Sequence, residues 1–307
     1  MTVLSGFLPI WAITAVGWAA GRTQVLGTQA QSVLGRFAFT FAMPALLFLT
    51  LSRSQVSDLV SPGVAVFALS LVLVFSLGLL LGRRVFRRRR ADRTIGAMAG
   101  AYVNSANLGI PIAVHVLDDA SFFIAAALFQ TLFVTPVILV LIDLDAGSGA
   151  RERRRRILRL PLRNPIIAAS AAGVTVALLG WRLPDQLITP VQMLGGAAVP
   201  AALFALGMSL TTRADGPDTT ARTERRVLVA LKIVVQPLVA YVLARWVFGL
   251  GGHELYAVVL CAGLPTAQNA FIFASEYRLN TELPRDAILL STLLSMASLS
   301  LITWLLA

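Results

Sequence analysis

Ten runs of about twenty apolar residues divide this chain of 307, and no other feature limits its fold so tightly. A bilayer core of about 30 Å is crossed by about 20 residues of helix. The runs lie at 3–21, 32–51, 63–82, 95–117, 122–142, 162–181, 191–210, 227–248, 255–277 and 287–306. Charged residues make up only 13% of the chain, about half the share of a soluble domain. Lipid offers unpaired backbone groups no partner, so helices are predicted. Continuously apolar runs exclude the alternating strands of a β-barrel. The expected fold class is an all-α integral membrane protein of ten transmembrane helices. The first run lacks a basic leader and a cleavage pattern, and is expected to be retained.

Basic residues set the orientation. Of 26, all are Arg except Lys232. With ten spans, 21 fall in loops on one side, chiefly in the stretches 83–93 and 151–163, and two, Arg53 and Arg182, on the other. The rich side faces the cytoplasm. Both termini are then expected outside. Short basic loops beside spans are explained by topology and by anionic lipid, so the net charge of +11 does not point to nucleic acid.

The two halves of the chain echo each other. The second span contains PALLF, Pro44 to Phe48, and the seventh PAALF, Pro200 to Phe204. The fourth contains GIPIA, Gly109 to Ala113, and the ninth GLPTA, Gly263 to Ala267. The expected division is a five-span repeat over 1–142, a basic connection over 143–161, and a second repeat over 162–307. Five is odd, so the repeats have inverted topology. Carriers built this way bind substrate near the midplane on interrupted helices.

Spans four and nine carry the interruptions. Pro111 lacks an amide hydrogen and clashes with the preceding turn of a continuous helix. Gly109 permits unusual dihedrals there. The second half of span four is therefore predicted to start near Ile110 or Pro111, and span nine to break near Gly263 and Pro265. Two half-helix N-termini would then meet at mid-membrane, each with unpaired N–H groups and partial positive charge. Such a pair can hold an anion without Lys or Arg. Asn104 and Asn107 precede the first break, and Gln268 and Asn269 follow the second. Gln130, in span five, either faces the crossing or hydrogen-bonds within the core.

The other polar residues point elsewhere. His115 reads as a packed or interfacial histidine, and Glu276 and Arg278 as interface residues. Lys232 is expected to snorkel at the cytoplasmic end of span eight. The single cysteine, Cys261, reads as a small buried hydrophobe. HExxH, P-loop and GxSxG patterns are absent from the sequence, so neither an enzyme nor a cofactor is expected.

With NSANLGIPIA in span four and AGLPTAQNAFIFASEY in span nine, the chain resembles bacterial members of the auxin efflux carrier family along its whole length. The resemblance implies the fold shared by bile-acid/sodium symporters and sodium/proton antiporters. Spans one, two, six and seven would form a scaffold, often dimeric, and the other six a moving, elevator-like domain. Helices four and nine would cross at Pro111 and Pro265, with Asn107, Gln268 and Asn269 beside a substrate carboxylate. The expected function is secondary transport of small organic anions across the bacterial inner membrane. A sodium-coupled symporter of the bile-acid type and a non-translocating sensor remain as alternatives.

Overall fold

The computed structural model describes residues 2–53, 61–144, 164–181, 183–211 and 219–306. The expected basic connection lies outside this set from residue 145 onward, as do Arg182, Arg213 and the side chain of His115. The described residues form helices and contain no strand. In chain order these are α1 (Thr2–Thr23), α2 (Ala30–Ser52), α3 (Pro62–Arg84), α4 (Arg90–Ala101), α5 (Ile110–Val116, led in by a widened π turn at Ser105–Gly109) and α6 (Ser121–Asp143). They continue as α7 (Pro165–Leu179), α8 (Asp185–Ser209), α9 (Thr220–Val247), α10 (Gly252–Ala262), α11 (Asn269–Glu276) and α12 (Glu282–Leu306). Six of them, α2, α3, α6, α8, α9 and α12, are long and apolar enough to cross a membrane by length and composition.

Local chemistry sets several ends. The Ser61 hydroxyl accepts from the Val64 N–H at 3.2 Å and caps α3, whose first residue is Pro62. Asn164 Oδ1 accepts from the Ile166 N–H at 3.0 Å and caps α7 ahead of Pro165. Both prolines stand where the missing N–H costs nothing. Helix α7 ends at Gly180, whose φ of +63° is a left-handed conformation that closes a helix. Outward faces are apolar: Val72, Leu80, Phe133, Val137, Leu238 and Leu293 are each at least 50% exposed. A protein surrounded by water rarely carries so much bare hydrocarbon, whereas lipid solvates it.

Prolines inside long helices are absorbed rather than allowed to break them. Pro44, Pro111, Pro136 and Pro237 each follow a π turn by two residues: Ala38–Ala42, Ser105–Gly109, Gln130–Val134 and Leu231–Val235. In each case the residue before the proline donates its N–H five residues back, as Ile110 does to the Ser105 carbonyl. The wider turn makes room for the ring and spares the carbonyl it would strike. The structure thereby corrects the predicted break in the fourth apolar run. The chain stays helical from Ser105 through Pro111, and the interruption lies earlier, at Tyr102–Asn104.

Packing groups the helices into two sets. Helices α1, α2, α7 and α8 contact one another through glycines: α1 against α8, and α7 and α8 against α2. The other helices surround the two interrupted segments, α4–α5 and α10–α11. Within the first set two contacts are reciprocal. A β-carbon on Gly17 would lie 2.3 Å from the Phe204 carbonyl oxygen, and one on Gly173 would lie 2.8 Å from the Phe48 carbonyl oxygen. Gly17 and Gly173 are 156 residues apart, as are Phe48 and Phe204. The PALLF and PAALF motifs therefore occupy matched places.

Candidate functional site

Where α4 ends at Ala101, the chain becomes extended, with Tyr102 at φ −79°, ψ 113°. The run after α10 is interrupted over Gly263–Gln268. The two extended pieces cross and form one antiparallel bridge, Val103 with Thr266. The Asn104 N–H donates to the Pro265 carbonyl at 2.9 Å, and the Ala267 N–H donates to the Tyr102 carbonyl at 3.1 Å. Exchanging Val103 with Thr266 exchanges these two bonds, so the crossing has a local two-fold character. It also corrects the motif match read from the sequence. Pro111 and Pro265 are 154 residues apart, whereas the paired residues Val103 and Thr266 are 163 apart. Pro265 stands in the crossing itself, while Pro111 belongs to the helix beyond it.

Each bridge residue is braced by a long neighbouring helix. Gln130 of α6 spends its whole carboxamide on the crossing: its Oε1 accepts from the Val103 N–H at 2.9 Å, and its Nε2 donates to the Val103 carbonyl at 3.1 Å and to Ser105 Oγ at 2.8 Å. Gln130 thus faces the crossing and is hydrogen-bonded within the core at once, being buried. On the other side Ser291 Oγ of α12 accepts from the Thr266 N–H at 3.1 Å, and Thr266 Oγ1 donates to the Ala99 carbonyl at 2.5 Å. These bonds replace the helical partners that the break removes.

A cavity of about 250 Å³ opens at the crossing. Asn104, Asn107, Gln130, Gln268 and Asn269 line it, with Tyr102, Thr50 and Thr131. Gly109, Pro111, Gly263 and Pro265 do not. The two glycines serve packing: a β-carbon on Gly109 would lie 2.7 Å from both Leu264 and Phe123, and one on Gly263 would lie 2.7 Å from Ile302. Pro111→Ala is accordingly expected to leave the crossing open and ligand affinity within about threefold; a binding titration on the purified variant checks this.

Among the described residues, the cavity wall carries no charged side chain. Its polarity comes from the first turns of the two helical segments that begin at Ser105 and Asn269, whose leading N–H groups have no helical acceptor. The buried carboxamides of Asn104 and Gln268 have no hydrogen-bond partner within the chain among the described residues. Asn269 shares the wall with Tyr102, whose hydroxyl is 2.9 Å from Thr135 Oγ1. The site therefore presents donors and partial positive charge to a small volume.

The opposite ends of the broken helices meet a residue that hydropathy misplaced. Lys232 of α9 is fully buried, and does not snorkel. Its Nζ donates to Gln236 Oε1 at 2.7 Å and to the Ala262 carbonyl, the last of α10, at 2.8 Å. Gln236 Nε2 donates in turn to the Ala101 carbonyl, the last of α4, at 2.9 Å. The spacing of Lys232 and Gln236 by one helical turn was the available sequence signal. A larger cavity, about 420 Å³, lies elsewhere among Arg88, Arg89, Arg225 and Arg278. Two of these arginines are met by carboxylates: Arg88 pairs with Glu224 at 2.8 Å, and Arg225 pairs with Asp286.

Comparison with known proteins adds the family. The profile of a family described as "Membrane transport protein" matches residues 2–303. A Rhizobium meliloti protein named "Putative malonate transporter" is 28% identical, over 95% of this chain and 92% of its own length. An uncharacterized transporter of Methanothermobacter thermautotrophicus is 30% identical, over 96% and 95%. Auxin efflux carrier component 8 of Arabidopsis thaliana is 22% identical, over 96% and 94%.

Proposed function

The chain belongs to the membrane transport protein family, the auxin efflux carrier family of the sequence resemblance, and on that premise we propose that it carries small organic anions, carboxylates above all. It is a multi-pass membrane transporter and not an enzyme. One observation carries the choice of substrate class. At the crossing, the C-terminal ends of α4 and α10 are met by Gln236 and Lys232, while the N-terminal ends facing the cavity meet no acidic side chain among the described residues. A carboxylate would complete that side. Asn104, Asn107, Gln268 and Asn269 would donate to it, and Gln130 would hold the break in shape. The malonate in the Rhizobium relative's name, and a cavity of about 250 Å³, favour a small dicarboxylate.

The transport cycle we propose is an elevator. Ten passes would form two inverted five-span halves, over 1–142 and 162–307, joined by the basic stretch 143–161. The reciprocal glycine contacts, the exchangeable hydrogen bonds of the crossing and the paired braces from α6 and α12 support that symmetry. Helices α1, α2, α7 and α8 would stand still, and would be the surface of any homodimer. The remaining helices would move as one body with the substrate. Arginine asymmetry supports an inner-membrane placement with both termini outside.

Counterflow in proteoliposomes tests the proposal. Liposomes loaded with unlabelled malonate should take up labelled malonate faster than empty ones. A protein that binds carboxylates yet exchanges none across the bilayer would be a sensor. Asn107→Ala removes a donor to a charged ligand, a contact worth about 1.5–3 kcal/mol. The expected result is a rise in Kd of about 10–100-fold with the protein still monodisperse; unchanged affinity would confine Asn107 to backbone capping.

A further inference from the structure

We propose that the Lys232 ammonium is a built-in cation that takes the place of a dissolved metal ion at the crossing, so that the site works without sodium. The proposal rests on the carrier reading above, and specifies its ion requirement.

Two broken helices that cross place two C-termini close together as well as two N-termini. Each C-terminus ends in carbonyls without helical donors and carries partial negative charge. A membrane interior cannot leave such a pair unmet, because water is not there to solvate it. A small cation with oxygen ligands is one solution, and a lysine on a neighbouring helix is another. Here Lys232 Nζ lies 2.8 Å from the Ala262 carbonyl and 2.7 Å from Gln236 Oε1, and Gln236 reaches the Ala101 carbonyl at 2.9 Å. One ammonium thereby serves both helix ends, directly at α10 and through a carboxamide at α4. The π turn Leu231–Val235 contains Lys232, and Pro237 follows it, so the backbone that aims the side chain is fixed by the ring. Among the described residues no carboxylate is hydrogen-bonded or ion-paired to Lys232, so its polar partners are the Ala262 carbonyl and Gln236.

Thermal unfolding of the purified, substrate-free protein in sodium chloride and in choline chloride tests this. Wild type is expected to melt at the same temperature in both salts. Lys232→Met keeps the length of the side chain and removes its charge; its Tm is expected to fall by roughly 10 °C. Lys232→Ala opens the space, and is expected to regain part of its loss in sodium or ethylammonium chloride but not in choline chloride. A Met variant as stable as wild type overturns the proposal, and so does an Ala variant indifferent to every cation. Wild type that is stabilised by sodium overturns it without need of any variant. Because no substrate is present, these outcomes stand apart from whether counterflow of malonate succeeds.

Discussion

Gln130→Leu is expected to abolish transport and to lower Tm by roughly 10 °C or more. The carboxamide makes three buried hydrogen bonds, two of them to the Val103 peptide at the crossing. That residue lies outside any helix, and both it and Gln130 are buried. Leucine has similar size and no polar atoms. The Val103 N–H and carbonyl would both lose a partner, at about 1–3 kcal/mol each. The Ser105 hydroxyl would lose its donor as well, at the first turn of the helical segment that faces the cavity. Substrate affinity should therefore fall together with stability. Gln130→Glu keeps the acceptor for the Val103 N–H, and should fall between the two. Thermal unfolding and counterflow on the same preparations check the result. A leucine variant with normal melting and normal exchange would mean that the crossing is held by its own two backbone bonds.

Gly207→Val should be as damaging, at a place far from any ligand. The glycine lies where α8 presses on α1. Its β-carbon would sit 2.1 Å from the Thr14 carbonyl oxygen and 2.8 Å from the Trp18 nitrogen. These are backbone atoms inside a helix and cannot turn aside, so the two helices must separate. Overpacking of this kind costs about 1–3 kcal/mol where side chains can yield, and more where only backbone is met. Little monodisperse protein is expected. Gly173→Val, against the Phe48 carbonyl where α7 meets α2, should behave alike. Gly196→Ala, with nothing within 4 Å of the new carbon, is the control. Size-exclusion profiles and Tm values read the outcome. Equal profiles for all three variants would show that the glycine contacts do not tie these four helices together.

How far these features could be read from the amino-acid order differs from residue to residue, for physical reasons. Helix ends were close at hand, because lipid rewards unbroken apolar runs: the run 63–82 became Pro62–Arg84, and 122–142 became Ser121–Asp143. The existence of polar interruptions in the fourth and ninth runs was legible from Asn104, Asn107, Gln268 and Asn269. Their exact placement was not. Pro111 looks like a breaker, yet a π turn absorbs it, as one does at Pro44, Pro136 and Pro237. What holds Tyr102–Asn104 open comes from far along the chain: Pro265, Ala267 and Gln130. Lys232 was misjudged for a similar reason. Its partner Ala262 acts through a backbone carbonyl, which has no signature in sequence. Ser291 and Thr266 carry no signal of their own in apolar runs, and only the fold gives them their places.

The central claim is that a small carboxylate sits against the two helix N-termini at the crossing. Bromomalonate can locate it, since bromine scatters anomalously. Crystals grown with this ligand should show one bromine peak in the cavity between Asn104 and Gln268, on the face opposite Lys232. A peak among Arg88, Arg89 and Arg225, with the crossing cavity empty, would contradict the account.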